Sequence, residues 1–267
     1  MKIIDCHVHP LFEDEELKLL ANKAKVDFSL KGLTKEMKEN KVERIVAISI
    51  HNEENNRFIE SLAKENKYIL PVYFVDVLNI TKKSLQLLES SLREKKFSAL
   101  KLTPGGQYFY PNEKRCKKIY RIAEKYRVPV IIHSGDPFYS FAKAKYTNPI
   151  YIDDVAVEHP NLKIVIAHSG NPWFEDAAEV AYKNENVFLD LSGWFTGKVE
   201  SSYAKIIKNK VEFLFSYLEG CEKILYGTDW PIIRMKPYIN FIKSLGLENY
   251  ELRKIFYKNA LKVFWCD

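Results

Sequence analysis

No stretch of the 267-residue sequence approaches the ~18 consecutive apolar residues that would span a bilayer, and the opening Met1-Lys2-Ile3-Ile4-Asp5 has no apolar signal-peptide core. A cytoplasmic protein without a membrane partner is expected. Cysteine is scarce: Cys6, Cys116, Cys221 and Cys266 stand far apart with no C-x-x-C pair, which argues against a thiolate zinc cluster or a disulfide framework and for reduced thiols. Neither G-x-G-x-x-G nor G-x-x-x-x-G-K-[ST] occurs, so no phosphate-cradling turn is encoded. Linkers and low-complexity tracts are missing too, and residues 1–267 are expected to form a single domain. The charge excess is small, 41 basic minus 35 acidic residues giving +6. Lys and Glu interleave in stretches such as Ser91-Leu-Arg-Glu-Lys-Lys96, which reads as solvated helix faces rather than a nucleic-acid groove.

What is present is enough apolar material for a sizeable core, 46% hydrophobic residues against 28% charged. Short β-branched runs alternate with longer amphipathic stretches from end to end. The runs fall at 3–9, 44–50, 69–75, 99–103, 129–133, 163–168, 187–191 and 224–229. Between them lie helical periods, such as 81–92 behind a Thr81 cap, and 251–265 reads as a closing helix on the outside. Strands alternating with helices imply parallel pairing through crossovers, and eight such units in about 260 residues predict a closed (β/α)₈ TIM barrel rather than an open doubly wound sheet.

Four of the six histidines fall where a barrel places chemistry. In Asp5-Cys-His7-Val-His9 the pleat turns Asp5, His7 and His9 to one face, the lumen of a barrel, and two imidazoles one strand period apart can chelate one ion. Two further strands end in the same words, Val130-Ile-Ile-His133-Ser-Gly and Ile164-Val-Ile-Ala-His168-Ser-Gly. The eighth ends Gly227-Thr-Asp229-Trp-Pro231 and brings a carboxylate to the same rim. Imidazoles with a carboxylate suit one divalent ion, zinc first, with Mn²⁺, Fe²⁺ or Co²⁺ as alternatives, and such an ion lowers the pKa of bound water to about 7. One of the four rim histidines is then free to serve as an acid or base.

This ordered set, from Asp5 to Pro231, resembles the amidohydrolase-related family, in particular its branch similar to aminocarboxymuconate-semialdehyde decarboxylase. The resemblance implies a metallo-dependent hydrolase barrel in which His7, His9, His133 and Asp229 hold the metal. It also implies that His168, with Asp229, is catalytic, His168 exchanging protons beside the metal-bound water. Members of that family hydrolyse or non-oxidatively decarboxylate small carboxylic acids, so a small-molecule substrate bearing a carboxylate is expected, by either reaction.

Lys101, on the fourth strand with Leu100 and Leu102 on the opposite pleat, is expected in the lumen. A cationic lysine meeting a substrate carboxylate is favoured there over a carboxylated lysine bridging two metals, and an internal salt bridge is the plainest alternative. Tyr108, Trp173, Trp194, Arg234 and His51 follow strands at the same face and are expected to contact substrate; His159 is expected at the opposite face, in a structural role. A two-metal nuclease of the TatD type also opens with H-x-H, but those enzymes place a glutamate near the fourth strand's end, and residues 97–107 contain none. A non-catalytic barrel is disfavoured because no ligand is missing, and the many aromatics leave room for a homodimer.

Overall fold

The computed structural model describes residues 1–265; Cys266, the fourth of the thiols expected to be reduced, lies outside the described residues. Eight parallel strands follow one another in sheet order β1 to β8. They are β1 (Ile3–Val8), β2 (Val42–Ile48), β3 (Ile69–Phe74), β4 (Ala99–Leu102), β5 (Val130–Ile132), β6 (Ile164–Ile166), β7 (Val187–Asp190) and β8 (Ile224–Leu225). The outer layer begins with α1 (Glu15–Ala24) and α2 (Leu30–Asn40), continues with α3 (Glu53–Glu65), α4 (Lys82–Arg93), α5 (Lys117–Tyr126) and α6 (Ile150–Glu158), and then runs through α7 (Phe174–Lys183), α8 (Ser201–Tyr217) and α9 (Met235–Lys243). This is the (β/α)₈ TIM barrel that the alternation of runs predicts.

The helices start where polar caps permit. Asp14, Ser29, Asn52 and Thr81 each accept a bond from a first-turn N–H of α1, α2, α3 and α4, and Thr81 with Ser84 closes a capping box. Strand register carries one belt of residues around the lumen: Phe74 lies beside Lys101, Lys101 beside Ile131, Ile131 beside Val165, and Val165 beside Phe188. Because the pleat alternates, His133 and Asp190 stand one step higher on the same face, toward the carboxyl ends of the strands.

Strand ends differ from the sequence expectation where side chains serve the site. The run 163–168 gives only Ile164–Ile166, because His168 (φ 58°) and Ser169 (φ 48°) turn into the left-handed region. The run 224–229 gives only Ile224–Leu225, because the chain leaves β7 to pair with β1. There the Cys6 N–H donates to the Tyr226 carbonyl at 2.9 Å, the Asp229 N–H to His7 O at 2.8 Å and the His9 N–H to Trp230 O at 2.8 Å. This seam closes the barrel.

The closing helix expected at 251–265 is in fact three pieces: α10 (Asn249–Arg253), a π-helical turn (Lys254–Lys258) and α11 (Asn259–Phe264). The Ile255 carbonyl in that turn accepts the Tyr226 N–H at 3.1 Å, and Asn259 Nδ2 donates to the Cys221 and Ile224 carbonyls at 2.7 and 2.8 Å. The widened turn therefore lets the helix satisfy β8, the shortest strand, which would otherwise leave buried polar backbone unpaired. Among the described residues no helix is long and apolar enough to cross a membrane.

Candidate metal centre

Strand β1 supplies the floor. Buried Asp5 accepts from the His7 N–H (3.2 Å), the Thr228 N–H (2.9 Å) and the Thr228 hydroxyl (2.6 Å), tying β1 to the segment after β8. Burial pushes its carboxyl up to about 7, with the Thr228 and His7 bonds opposing. Two steps on, His7 Nδ1 lies 2.9 Å from Asp190 Oδ2, and past the strand end His9 Nδ1 lies 3.0 Å from the Ile48 carbonyl.

Those partners are acceptors, so both Nδ1 atoms carry protons and both Nε2 atoms keep lone pairs. The lone pairs face Asp229: His9 Nε2 is 3.2 Å and His7 Nε2 3.7 Å from Oδ1. Three acceptors converging in a buried place suit a cation held among them. His7, His9 and Asp229 form a group whose ligand atoms all lie within 4.8 Å of one another, a geometry and donor set that fit a divalent metal ion.

Burial, reinforced by the nearby Lys101 charge, pushes the His7 imidazole down to about 3, so it is neutral at physiological pH. For Asp229 burial acts upward, but the facing His9, His7 and His168 outweigh it, and the carboxyl is held well below the ordinary carboxylate range. Lys101, fully buried, points its Nζ at His7 Nε2 from 3.4 Å, and burial lowers it to about 8 against the pull of Asp190 and Asp229.

His133 and His168 stand beside this group. The His168 ring centroid is 4.9 Å from that of His7 and 5.0 Å from that of His133, and burial lowers both pKa values. His133 turns its Nε2 toward the Asp136 carbonyl at 3.1 Å, outside the close group of His7, His9 and Asp229. Three of the four ligands implied by the sequence are thus gathered, and the fourth shares their cavity.

The cavity over these groups has a volume of about 150 Å³ and is lined also by Leu17, Leu20, Ile50, Thr103, Phe138 and Tyr139. Larger clefts, about 340 and 500 Å³, lie outside the barrel mouth and lack the converging imidazoles. Of the expected substrate contacts Lys101 alone lines the cavity. Tyr108 lies outside it, its hydroxyl donating to the Phe141 carbonyl at 2.6 Å and its ring stacked on Tyr146. Trp194 is buried, donating Nε1–H to the His168 carbonyl at 3.0 Å and packing on Phe174. Trp173 sits at the start of α7, and Arg234, about half exposed, faces Glu36 at 3.8 Å. His51 lies 3.3 Å from Asp14 in a neighbouring cleft. His159 pairs with Glu124 at 2.7 Å just before β6, at the amino-terminal face.

Two residues went unmarked by the sequence reading, Asp190 and Ser192. Asp190 ends β7 and bonds His7, while Ser192 Oγ lies 2.9 Å from His168 Nδ1. A signal existed: Asp190-Leu-Ser192-Gly193 after an apolar strand has nearly the form of the two strand-His-Ser-Gly segments.

A parallel eight-stranded barrel with H-x-H on its first strand and a facing aspartate after its last defines a class, the barrel enzymes built around a metal centre at the strands' carboxyl ends. The chain belongs to the amidohydrolase family, whose model matches residues 4–265. No curated protein matches it. Among solved structures it is similar to an uncharacterised TIM-barrel protein, Bb4693, from Bordetella bronchiseptica (21% identity, TM-score 0.80, 98% of each chain covered). It is also similar to a probable 2-pyrone-4,6-dicarboxylic acid hydrolase from Acinetobacter baumannii with citric acid bound (14%, TM-score 0.73, 100% of each chain). A third is a dihydroxybenzoic acid decarboxylase from Polaromonas sp. with bound manganese and the inhibitor 2-nitroresorcinol (13%, TM-score 0.70, 99% of this chain and 97% of that one).

Proposed function

We propose that the protein hydrolyses or decarboxylates a small carboxylate-bearing molecule at one divalent metal ion, zinc first, held by His7, His9, His133 and Asp229. The observation that carries this is the convergence of two imidazole lone pairs and a carboxylate oxygen on one buried point, with a lysine and a further histidine alongside. A bound ion supplies Lewis acidity and an acidified water.

The chain's own residues do the rest. Lys101 offers its ammonium to the substrate carboxylate, which replaces water that burial has already stripped from it. His168 exchanges the proton. Leu17, Leu20, Phe138 and Tyr139 form an apolar wall suited to a flat or unsaturated skeleton, consistent with the dicarboxylate and dihydroxybenzoate substrates named for two of the similar structures. A second ion finds less support. In the other close group, His7, His168 and Asp190, the histidine Nδ1 atoms are engaged with Asp190 and Ser192.

The test is metal content by elemental analysis after gel filtration, together with carbon dioxide release and ring-opening assays on a panel of aromatic and unsaturated carboxylates. About one ion per chain and metal-dependent turnover are expected, with Asp229→Asn losing both and His168→Asn losing turnover alone. Undiminished metal binding in Asp229→Asn, or turnover indifferent to chelation, would refute the assignment.

A further inference from the structure

We propose that Asp190 is the positioning residue of this site, fixing the tautomer of His7 directly and that of His168 through the hydroxyl of Ser192. The inference rests on the reading of the site given above and concerns residues that the ligand set does not include.

The argument is an accounting of protons. Asp190 is fully buried and its carboxylate offers only lone pairs. Oδ1 accepts from the backbone N–H groups of His168 (2.9 Å) and Ser192 (3.0 Å) and from the Ser192 hydroxyl; Oδ2 faces His7 Nδ1 at 2.9 Å. Ser192 has one hydroxyl proton, and it is committed to Asp190. What Oγ then shows to His168 Nδ1 at 2.9 Å, and to His7 Nδ1 at 3.1 Å, is lone pairs. Both Nδ1 atoms must therefore be the protonated ones, and Nε2 of each ring keeps its lone pair. For His7 that lone pair faces the ion's position. For His168 it makes the resting imidazole a proton acceptor, so the first proton transfer runs from substrate or water to His168.

The backbone leaves room for this. A Cβ on Gly193, at φ +71°, would stand 2.4 Å from His168 Nδ1 and 3.0 Å from Asp229 Oδ2. Nothing larger than glycine fits after Ser192 while the bond to His168 is kept. The turn Asp190-Leu-Ser192-Gly193 thus aims both polar side chains at the two rings.

The experiment reads tautomers directly, by long-range ¹H–¹⁵N correlation of the histidine rings in the full chain, metal removed by chelation, at a pH where the rings are neutral. In the wild type, Nδ1–H is expected for both His7 and His168; Nε2–H on His168 overturns the proposal whatever any variant does. In Ser192→Ala, His168 should move toward Nε2–H while His7 stays Nδ1–H and Zn²⁺ affinity holds within about threefold. Asp190→Asn should lower Zn²⁺ affinity about 10- to 100-fold, the usual cost of losing a group that orients a ligating histidine. An unchanged His168 tautomer in Ser192→Ala, or unchanged Zn²⁺ affinity in a folded Asp190→Asn, also overturns it. Should Zn²⁺ fail to bind the wild type at all, the proposed function fails while the ring tautomers still decide this inference.

Discussion

Asp229 Oδ1 faces two imidazole nitrogens across 3.2 and 3.7 Å, and that one oxygen makes the centre chemically legible at the scale of residues. Removing either imidazole takes one of the four proposed ligands from the site. His9→Ala is accordingly expected to weaken Zn²⁺ binding by 100-fold or more, measured by competition with a chromophoric chelator, whereas His51→Ala should leave it unchanged because His51 pairs with Asp14 in a separate cleft. Gly193→Ala is expected to act without touching a ligand, by driving a methyl into the His168 ring and a non-glycine residue into the left-handed region. A loss of about 2 kcal/mol or more in stability, seen by urea unfolding, should accompany loss of turnover.

Elements explain which parts of the sequence could be read. Strand cores were legible because β-branched apolar runs have one use here, a barrel wall buried on both faces. His7 and Lys101 were legible because the pleat fixes where alternate side chains point. Beyond the strand ends that rule lapses. Trp194 folds inward under His168 and Arg234 turns to Glu36, and no periodicity in a loop announces either. Asp190 is legible in part, because its place before Ser192-Gly193 nearly repeats the two strand-His-Ser-Gly segments, while its contact with His7 depends on how two distant strands meet.

The helical layer has its own titrating contact: Glu36 of α2, buried, accepts the Met235 N–H at the start of α9 at 2.9 Å. Burial raises this carboxyl above its ordinary value, with the Met235 bond and Arg234 opposing. A raised carboxyl contributes stability that is complete below the unfolded value of about 4.3 and is lost as pH climbs through the folded one. Glu36→Gln lacks that loss, so the melting temperature of the variant relative to wild type should shift upward between about pH 4 and pH 8. A gap that is constant or moves the other way would contradict the assignment.

For the whole molecule, the belt from Phe74 to Phe188 and the apolar layer beneath the helices form a continuous core, which is expected to hold without the ion. Chelation should leave the far-ultraviolet circular dichroism unchanged. It should lower the melting temperature by roughly 5–10 °C, because a ligand at a hundredfold excess over its Kd adds about 2.7 kcal/mol and each kcal/mol moves a domain this large by about 2–4 °C. Cooperative unfolding of the whole barrel on chelation would show instead that the metal is a structural staple.

The seam between β1 and the segment after β8 has a consequence for how the protein comes into being. His7 and Asp229 are hydrogen-bonded neighbours in the barrel, through the Asp229 N–H and the His7 carbonyl, yet they stand near opposite ends of the chain. A ribosome delivers His7 and His9 first and must translate through the eighth strand before Asp229 emerges. On the proposed ligand set, a chain cut short before residue 229 would lack the carboxylate ligand, and weaker Zn²⁺ binding is expected of it.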